Sequence, residues 1–261
     1  MQAFNYAKPS SLADAARSAG AADTKLLAGG QSLLAAMKLG LAAPAALVDL
    51  GGLTDLKGIS VSGGTVKIGA MTTHAAVAAS KEVTQAIPAL AALAGGIGDR
   101  QVRNVGTIGG SLANNDPGAD YPAAALALGA TIHTDKRTIG ADDFFKGLFQ
   151  TALNDGEVIT AVSFPVPEKA GWQKFKQPAS RFALVGVFVA KGKGGVRVAV
   201  TGAGSSGVFR AKALEDKLSA NWSGSACDGV KIDAKNLNGD LHGSAEYRAA
   251  LIPVLTKRAV G

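Results

Sequence analysis

Three stretches of the chain combine glycine with small polar residues in patterns that can hold an anion: Ala28-Gly29-Gly30-Gln31-Ser32-Leu33, Thr107-Ile108-Gly109-Gly110-Ser111 and Gly202-Ala203-Gly204-Ser205-Ser206-Gly207. Paired glycines reach φ values closed to other residues and let backbone approach a ligand closely. Successive N–H groups can then form a nest for phosphate oxygens without a lysine. Neither of the first two ends in Gly-Lys-Ser/Thr, so neither is a Walker loop. The third satisfies G-x-G-x-x-G between a strand pattern and a helix pattern, the dinucleotide fingerprint. Yet Asn221-Trp222-Ser223-Gly224-Ser225 stands where a second buried parallel strand should follow, and only 54 residues remain beyond Gly207. A structural turn in a hairpin is the better reading there. The first two turns, far apart in sequence, can clamp one diphosphate from two sides, and the first also precedes a helix whose amino end favours anions.

Other reactive side chains are sparse. His74, His133 and His242 are isolated, with no His or Glu at metal-ligand spacing, and read as structural. Ala203-Gly204-Ser205-Ser206-Gly207 distantly resembles a nucleophile elbow but lacks its first glycine, and His242 is the sole downstream partner. Asp142-Asp143 reads as a turn or cap pair. Cys227 is the single cysteine, so no disulfide forms within the chain and no Cys-ligated zinc or iron–sulfur site can be built from it alone. It stands in a polar Gly/Ser stretch and is read as incidental. The first residues lack the charged flank and apolar run of a secretory signal, and no apolar run reaches membrane-spanning length; a reducing, cytoplasmic setting is expected.

The net charge is +7. Lys174, Lys176, Arg181, Lys191, Lys193 and Arg197 follow one another with no acidic residue between them. Such a run is either a solvated strand face or a surface turned toward an anionic cofactor or an acidic partner. Nucleic acid is disfavoured, since aromatics make up only 5% of the chain and no DNA-binding motif is present.

The elements that must position these residues follow from periodicity. The opening reads as βαβ: Ser10 or Ser11 caps a helix that Gly20 ends, Lys25–Leu27 is a strand running into the first glycine turn, and a helix carrying Leu33, Leu34 and Met37 follows. Residues 46–50 form the next strand. A hairpin joins 59–61 to 65–69 through Gly63-Gly64, Thr73 caps a helix through Ala79, and Pro88 opens another that closes at Gly95-Gly96. The Gly/Asn/Ser-rich stretch 106–118 reads as loop, 121–128 as helix, 130–134 and 158–164 as strands. Beyond a Pro/Lys/Gly connection near residue 171 the pattern becomes an antiparallel meander (173–176, 182–190, 196–201), then helices at 209–219 and 245–258. Hairpins mixed with helices indicate α+β lobes rather than one doubly wound sheet.

Leu26-Leu27-Ala28-Gly29-Gly30-Gln31-Ser32-Leu33-Leu34 and the run from Gly98 to Ala113, with Arg100-Gln101-Val102-Arg103-Asn104-Val105-Gly106-Thr107-Ile108-Gly109-Gly110 at its centre, closely resemble the medium, FAD-binding subunit of the carbon monoxide dehydrogenase/xanthine dehydrogenase family. The resemblance extends through Asn114–Asp120, through Phe175–Val185 and into the Gly243–Arg248 segment, and so covers essentially the whole chain. It implies a vanillyl-alcohol-oxidase-type (PCMH) FAD-binding domain over 1–170, in lobes of about 1–56 and 57–170, and a small α+β C-terminal domain over 171–261. It further implies that residues 28–32 with Leu33, and 107–111, hold the FAD diphosphate mostly by backbone amides. Asp120 is expected at the ribose or adenine end, and it can also cap the helix that begins at Tyr121. Ile159 and Lys176 are expected near the isoalloxazine; the bland reading of Lys176 is an exposed strand lysine. Trp172 stands where relatives often carry a tyrosine against the ring.

By the same resemblance the chain has no substrate chemistry of its own. A large partner subunit carries the molybdopterin cofactor and a small one the [2Fe-2S] clusters, assembled as a dimer of heterotrimers. Electrons reach FAD here and leave to a quinone, cytochrome, oxygen or NAD. Two rivals stay open at this level: a stand-alone FAD oxidoreductase of the same fold, and an NAD-binding module built on residues 202–207.

Overall fold

The computed structural model describes residues 1–261. In the first lobe, β1 (Asn5–Ala7), α1 (Leu12–Ala19), β2 (Thr24–Leu27), α2 (Leu33–Lys38) and β3 (Ala46–Asp49) build a three-stranded parallel sheet with order β1-β3-β2. Parallel neighbours need crossovers, and the two helices supply them. Ser11 caps α1, its Oγ accepting from the Asp14 amide, and α1 buries Ala15 and Ala19. A small core of Ala15, Val48, Leu50, Leu53, Leu56, Met71 and Val158 joins this lobe to the next.

The second lobe begins with the hairpin β4 (Ile59–Ser62) and β5 (Thr65–Gly69), turned at Gly63 and Gly64, whose φ values of 56° and 73° are those a two-residue I′ turn demands. Helices α3 (His74–Ala79), α4 (Lys81–Ala86), α5 (Pro88–Gly95), α6 (Arg100–Val105), α7 (Ile108–Asn114) and α8 (Tyr121–Leu128) follow. Then come β6 (Thr131–Thr134), β7 (Thr138–Gly140), α9 (Ala141–Phe144), the hairpin β8 (Phe145–Gly147) with β9 (Gln150–Thr151), and β10 (Ile159–Pro165). The sheet order is β4-β5-β10-β6-β7, so the last strand of the lobe inserts at its centre. All residues of α8 are buried, which is why that segment is apolar all round.

The C-terminal part is a meander, β11 (Lys169–Lys176), β12 (Ala183–Gly192), β13 (Gly195–Thr201) and β14 (Phe209–Arg210), covered on one face by α10 (Lys212–Ala220) and α11 (Ala245–Val260). Alternation on β12 explains its unbroken apolar run. Val185, Val187 and Val189 pack in the C-terminal core, while Phe188 and Ala190 belong to the core of the second lobe.

Several expectations are corrected. The stretch 106–118 is not a loop: α7 occupies Ile108–Asn114, stopped by Asn115 at φ 43°. The meander starts at Lys169 rather than Gln173. Phe209–Arg210 pairs with β13 and the helix starts only at Lys212. Cys227 is buried in the C-terminal core, not placed in an open polar loop. Asp142 caps nothing; it forms ion pairs with Arg197 and Arg210.

Candidate functional site

The first glycine turn leaves the end of β2 and enters α2. Gly30 has φ 69°, a conformation that L side chains rarely adopt. The first helical bond runs from the Leu34 amide to Gly30 O at 3.0 Å, and none of the amides from Ala28 through Leu33 finds an acceptor in the chain. Gln31 and Ser32 are exposed, and Ser32, at the N-cap, makes no side-chain capping bond. Six successive unpaired N–H groups, placed beyond the end of a parallel strand and before a helix, are an anion cradle without any cationic side chain.

The second turn is built differently. Thr107 caps α7, its Oγ1 accepting from the Gly110 amide at 3.1 Å. The Ile108 amide donates to Thr72 O, Gly109 to Ala70 O and Ser111 to Thr107 O. The expected second row of free amides is therefore corrected: between Thr107 and Ser111, only the Thr107 amide lacks an acceptor. The glycines here serve close packing. A Cβ on Gly109 would lie 2.6 Å from Ala70 Cβ. Ala70 in turn donates its amide to Thr160 O, which fastens the start of β10, and Ile159 with it, to this turn. Ile159 itself is buried in the large core alongside Ile108.

The two turns meet. A Cβ on Gly29 would overlap the Val105 carbonyl and crowd Gly106 Cα, and one on Gly110 would come 3.4 Å from Ala28 Cβ. The ring of His74 backs Gly106, whose added Cβ would sit 2.6 Å from Nε2, and the His74 amide donates to Gly106 O. Burial first, then the nearby Arg103 charge, hold the His74 pKa down at about 4, so it is neutral at ordinary pH. Its ring lies 5.4 Å from that of Tyr121.

Asp120 is buried and pairs with Lys174 Nζ at 2.6 Å; its side chain makes no cap bond to α8, so the capping expectation fails. Burial raises its pKa to about 6 against the lowering influence of Lys174. Lys174 Nζ also donates to Gly96 O, and Arg103 and Arg181 both donate to Gly98 O. Trp172, two residues before Lys174 on the same strand face, is tucked over Gly186 and lies 6.1 Å from the ring of Phe188. Lys176 is exposed at the end of β11.

The structure thus brings residues 28–33 together with 105–111 and ties in Ile159 through Ala70, while Trp172 packs on the large core and Lys176 lies exposed at its strand end. Lys174, Arg103 and His74 are the residues that sequence reasoning passed over. The basic run held the first of them, but nothing in it distinguished a buried lysine from a solvated one. The hexapeptide 202–207 is the turn between β13 and β14, with Ser205 bound to Asn236 O through both amide and hydroxyl.

Residues 2–167 match the family model described as the FAD binding domain in molybdopterin dehydrogenase. The nicotine 6-hydroxylase medium subunit of Paenarthrobacter nicotinovorans is 36% identical over 100% of this chain and 97% of its own length. The carbon monoxide dehydrogenase medium chain of Hydrogenophaga pseudoflava is 35% identical over 98% and 96%. Among solved structures, carbon monoxide dehydrogenase from that organism superposes with a TM-score of 0.88 at 35% identity, covering 99% of this chain and 96% of the other. Quinoline 2-oxidoreductase from Pseudomonas putida 86 gives 0.87 at 30% identity, with coverage of 99% and 96%.

Proposed function

The chain belongs to the family of FAD-binding medium subunits of molybdenum hydroxylases, and from that premise we propose that it is the electron-transfer component between the iron–sulfur clusters of a small partner subunit and an external acceptor. It is an oxidoreductase subunit of α+β fold whose cofactor is FAD. The finer reading assigns residues 1–170 to the FAD domain and 171–261 to a C-terminal domain, in a dimer of heterotrimers whose large subunit carries molybdopterin. The acceptor is a quinone, cytochrome, oxygen or NAD. No helix is long and apolar enough to cross a membrane; a cytoplasmic place is part of the proposal.

One observation carries it: six successive amides at Ala28–Leu33 are unpaired, and a second glycine turn packs against the same segment. That cradle fits a diphosphate bridge, with Gln31 and Ser32 free to reach its oxygens and Thr107 offering one further amide. When bound, FAD supplies the redox centre that receives electrons from the partner and releases them to the acceptor. The residues around it bind and orient. Gly29 and Gly110 keep the two walls close, Gly109 seats the second turn on Ala70, Ile108 and Ile159 anchor that turn in the core, and Asp120 accepts from a ligand hydroxyl or N–H. Trp172 and Lys176 belong to the isoalloxazine end, where a cation stabilises negative charge on the reduced ring.

Titrating flavin-free protein with FAD and FMN tests this reading. FMN lacks the diphosphate bridge, so FAD should bind at least 100-fold more tightly; equal affinities, or binding of NAD in preference to both, would overturn it. Expression with the neighbouring subunits should recover molybdopterin and iron–sulfur chains in the same complex.

A further inference from the structure

The Lys174–Asp120 pair is the one buried ion pair between the meander and the second lobe in which both side chains are almost wholly enclosed, at 8% and 3% exposure. An ammonium gives up much hydration to enter such a place, so its partners report what it is there to hold. It spends one hydrogen bond on Asp120 Oδ2 and one on Gly96 O, at the base of the Gly96–Gly98 turn that leads into α6 and so to Gly106 and the wall behind Gly29. The other carboxylate oxygen, Oδ1, is buried without a partner, as are the Tyr121 hydroxyl beside it in sequence and His74 Nδ1 behind Gly106. A buried carboxylate oxygen left without a partner is uncommon in folded interiors and marks a place that a donor should fill. Resting on the FAD reading above, we propose that Lys174 is a positioning residue of the flavin site: by gripping Oδ2 and Gly96 O it fixes Asp120 so that Oδ1 remains the acceptor for an N–H or O–H of the bound nucleotide.

FAD offers such donors in its ribose and ribityl hydroxyls and at ring N3–H, whereas phosphate oxygens offer none. The charged and titratable neighbours of Asp120 are Lys174 across the pair and Tyr121 next to it, with His74 against the Tyr121 ring and Arg103 acting on His74. Lys174 is the group that favours the ionised carboxylate against its burial. Without it the carboxyl holds its proton to higher pH and presents no fixed acceptor.

The test measures FAD dissociation constants by flavin absorbance, together with the melting temperature of the flavin-free protein, for wild type, Lys174→Met, Lys174→Arg and Lys174→Met/Asp120→Asn between pH 6 and 9. In Lys174→Met, FAD affinity at pH 7 should fall at least tenfold and recover as pH rises toward 9. Lys174→Arg should stay within a few-fold of wild type. The double variant carries neither buried charge, so it should regain the melting temperature that Lys174→Met loses, yet bind FAD at least tenfold more weakly at every pH. Recovery of wild-type FAD affinity in the double variant, or a Lys174→Met variant that binds as wild type does, would reduce the pair to a structural clasp and overturn the proposal. Failure of the wild-type protein to bind FAD at all rejects the parent reading and this one with it; normal wild-type binding with unmoved variants rejects the role of Lys174 alone.

Discussion

The two glycine turns look alike in sequence and are opposite in physics. The turn at 28–33 is open: its amides are unpaired, Gly30 sits at positive φ, and Gln31 and Ser32 face solvent. The turn at 107–111 is closed: its amides from Ile108 on are bonded within the protein, and Gly109 is pressed against Ala70. A Gly-Gly pair can therefore be selected for what its backbone offers a ligand or for how near it lets another backbone come. In this fold one turn supplies the donors and the other supplies the wall that holds them in place.

That contrast can be broken most forcefully at Gly29, which lies on the seam. Gly29→Ala drives a methyl into the Val105 carbonyl, backbone against backbone. It should cost about 3 kcal/mol of stability, as overpacking against an unyielding neighbour does, and abolish FAD retention; denaturant melts and the flavin content of purified protein check both. A smaller effect separates the adjacent glycines of the second turn. Gly109→Ala meets Ala70 Cβ at 2.6 Å and should destabilise by about 1–3 kcal/mol. Gly110→Ala meets only Thr107 Oγ1 at 3.0 Å and Ala28 Cβ at 3.4 Å, and should stay within about 1 kcal/mol of wild type, since alanine is the better helix former. Equal losses in the two variants would show that the second turn is not the packed wall described here.

A separate effect is in pH dependence. His74, buried behind the closed turn, has its folded pKa lowered to about 4 from 6.5. The unfolded chain takes up this proton first as pH falls, so stability is complete above 6.5 and is lost as pH drops from 6.5 toward 4. Asp120, raised to about 6 from 3.8, acts in the opposite sense. The folded state takes up that proton first, so stability is lost as pH rises from 3.8 toward 6. The two largely cancel between pH 4 and 6. Replacing His74 with Gln removes one arm, and relative to wild type the variant should gain about 2 kcal/mol on going from pH 7 to pH 4.5, measured by urea melts at both values. An unchanged difference between the two pH values would mean that His74 titrates freely.

Much of this was legible in the chain. The βαβ opening, the hairpin at Gly63-Gly64 and the meander follow from period-two alternation and glycine punctuation, and the first glycine turn is recognisable because its chemistry is local. The second turn was misread as loop because Gly, Asn and Ser dominate it. Its helix exists through contacts that lie elsewhere in the sequence, the Thr72 and Ala70 carbonyls beneath it and the Gly147 and Gln150 carbonyls that hold Asn115 Nδ2 at its end. Lys174 was invisible for the same reason: Asp120 is 54 residues away, and in one dimension a buried lysine and a solvated one are the same letter. Asp142, taken for a turn residue, is likewise explained by Arg197 and Arg210 from the meander.

The central claim is that the open turn binds the diphosphate through its unpaired amides, and Ser32→Asp tests it most directly. Ser32 is exposed at the amino end of α2 and makes no capping bond. Aspartate there should leave the flavin-free protein as stable as wild type or raise it by about 0.3–1 kcal/mol through the helix dipole, while its carboxylate sits beside the same amides and repels the diphosphate. Paired measurement of thermal stability and FAD affinity should show the first held or raised and the second lowered at least 100-fold. A variant that folds normally and binds FAD as tightly as wild type would contradict the account.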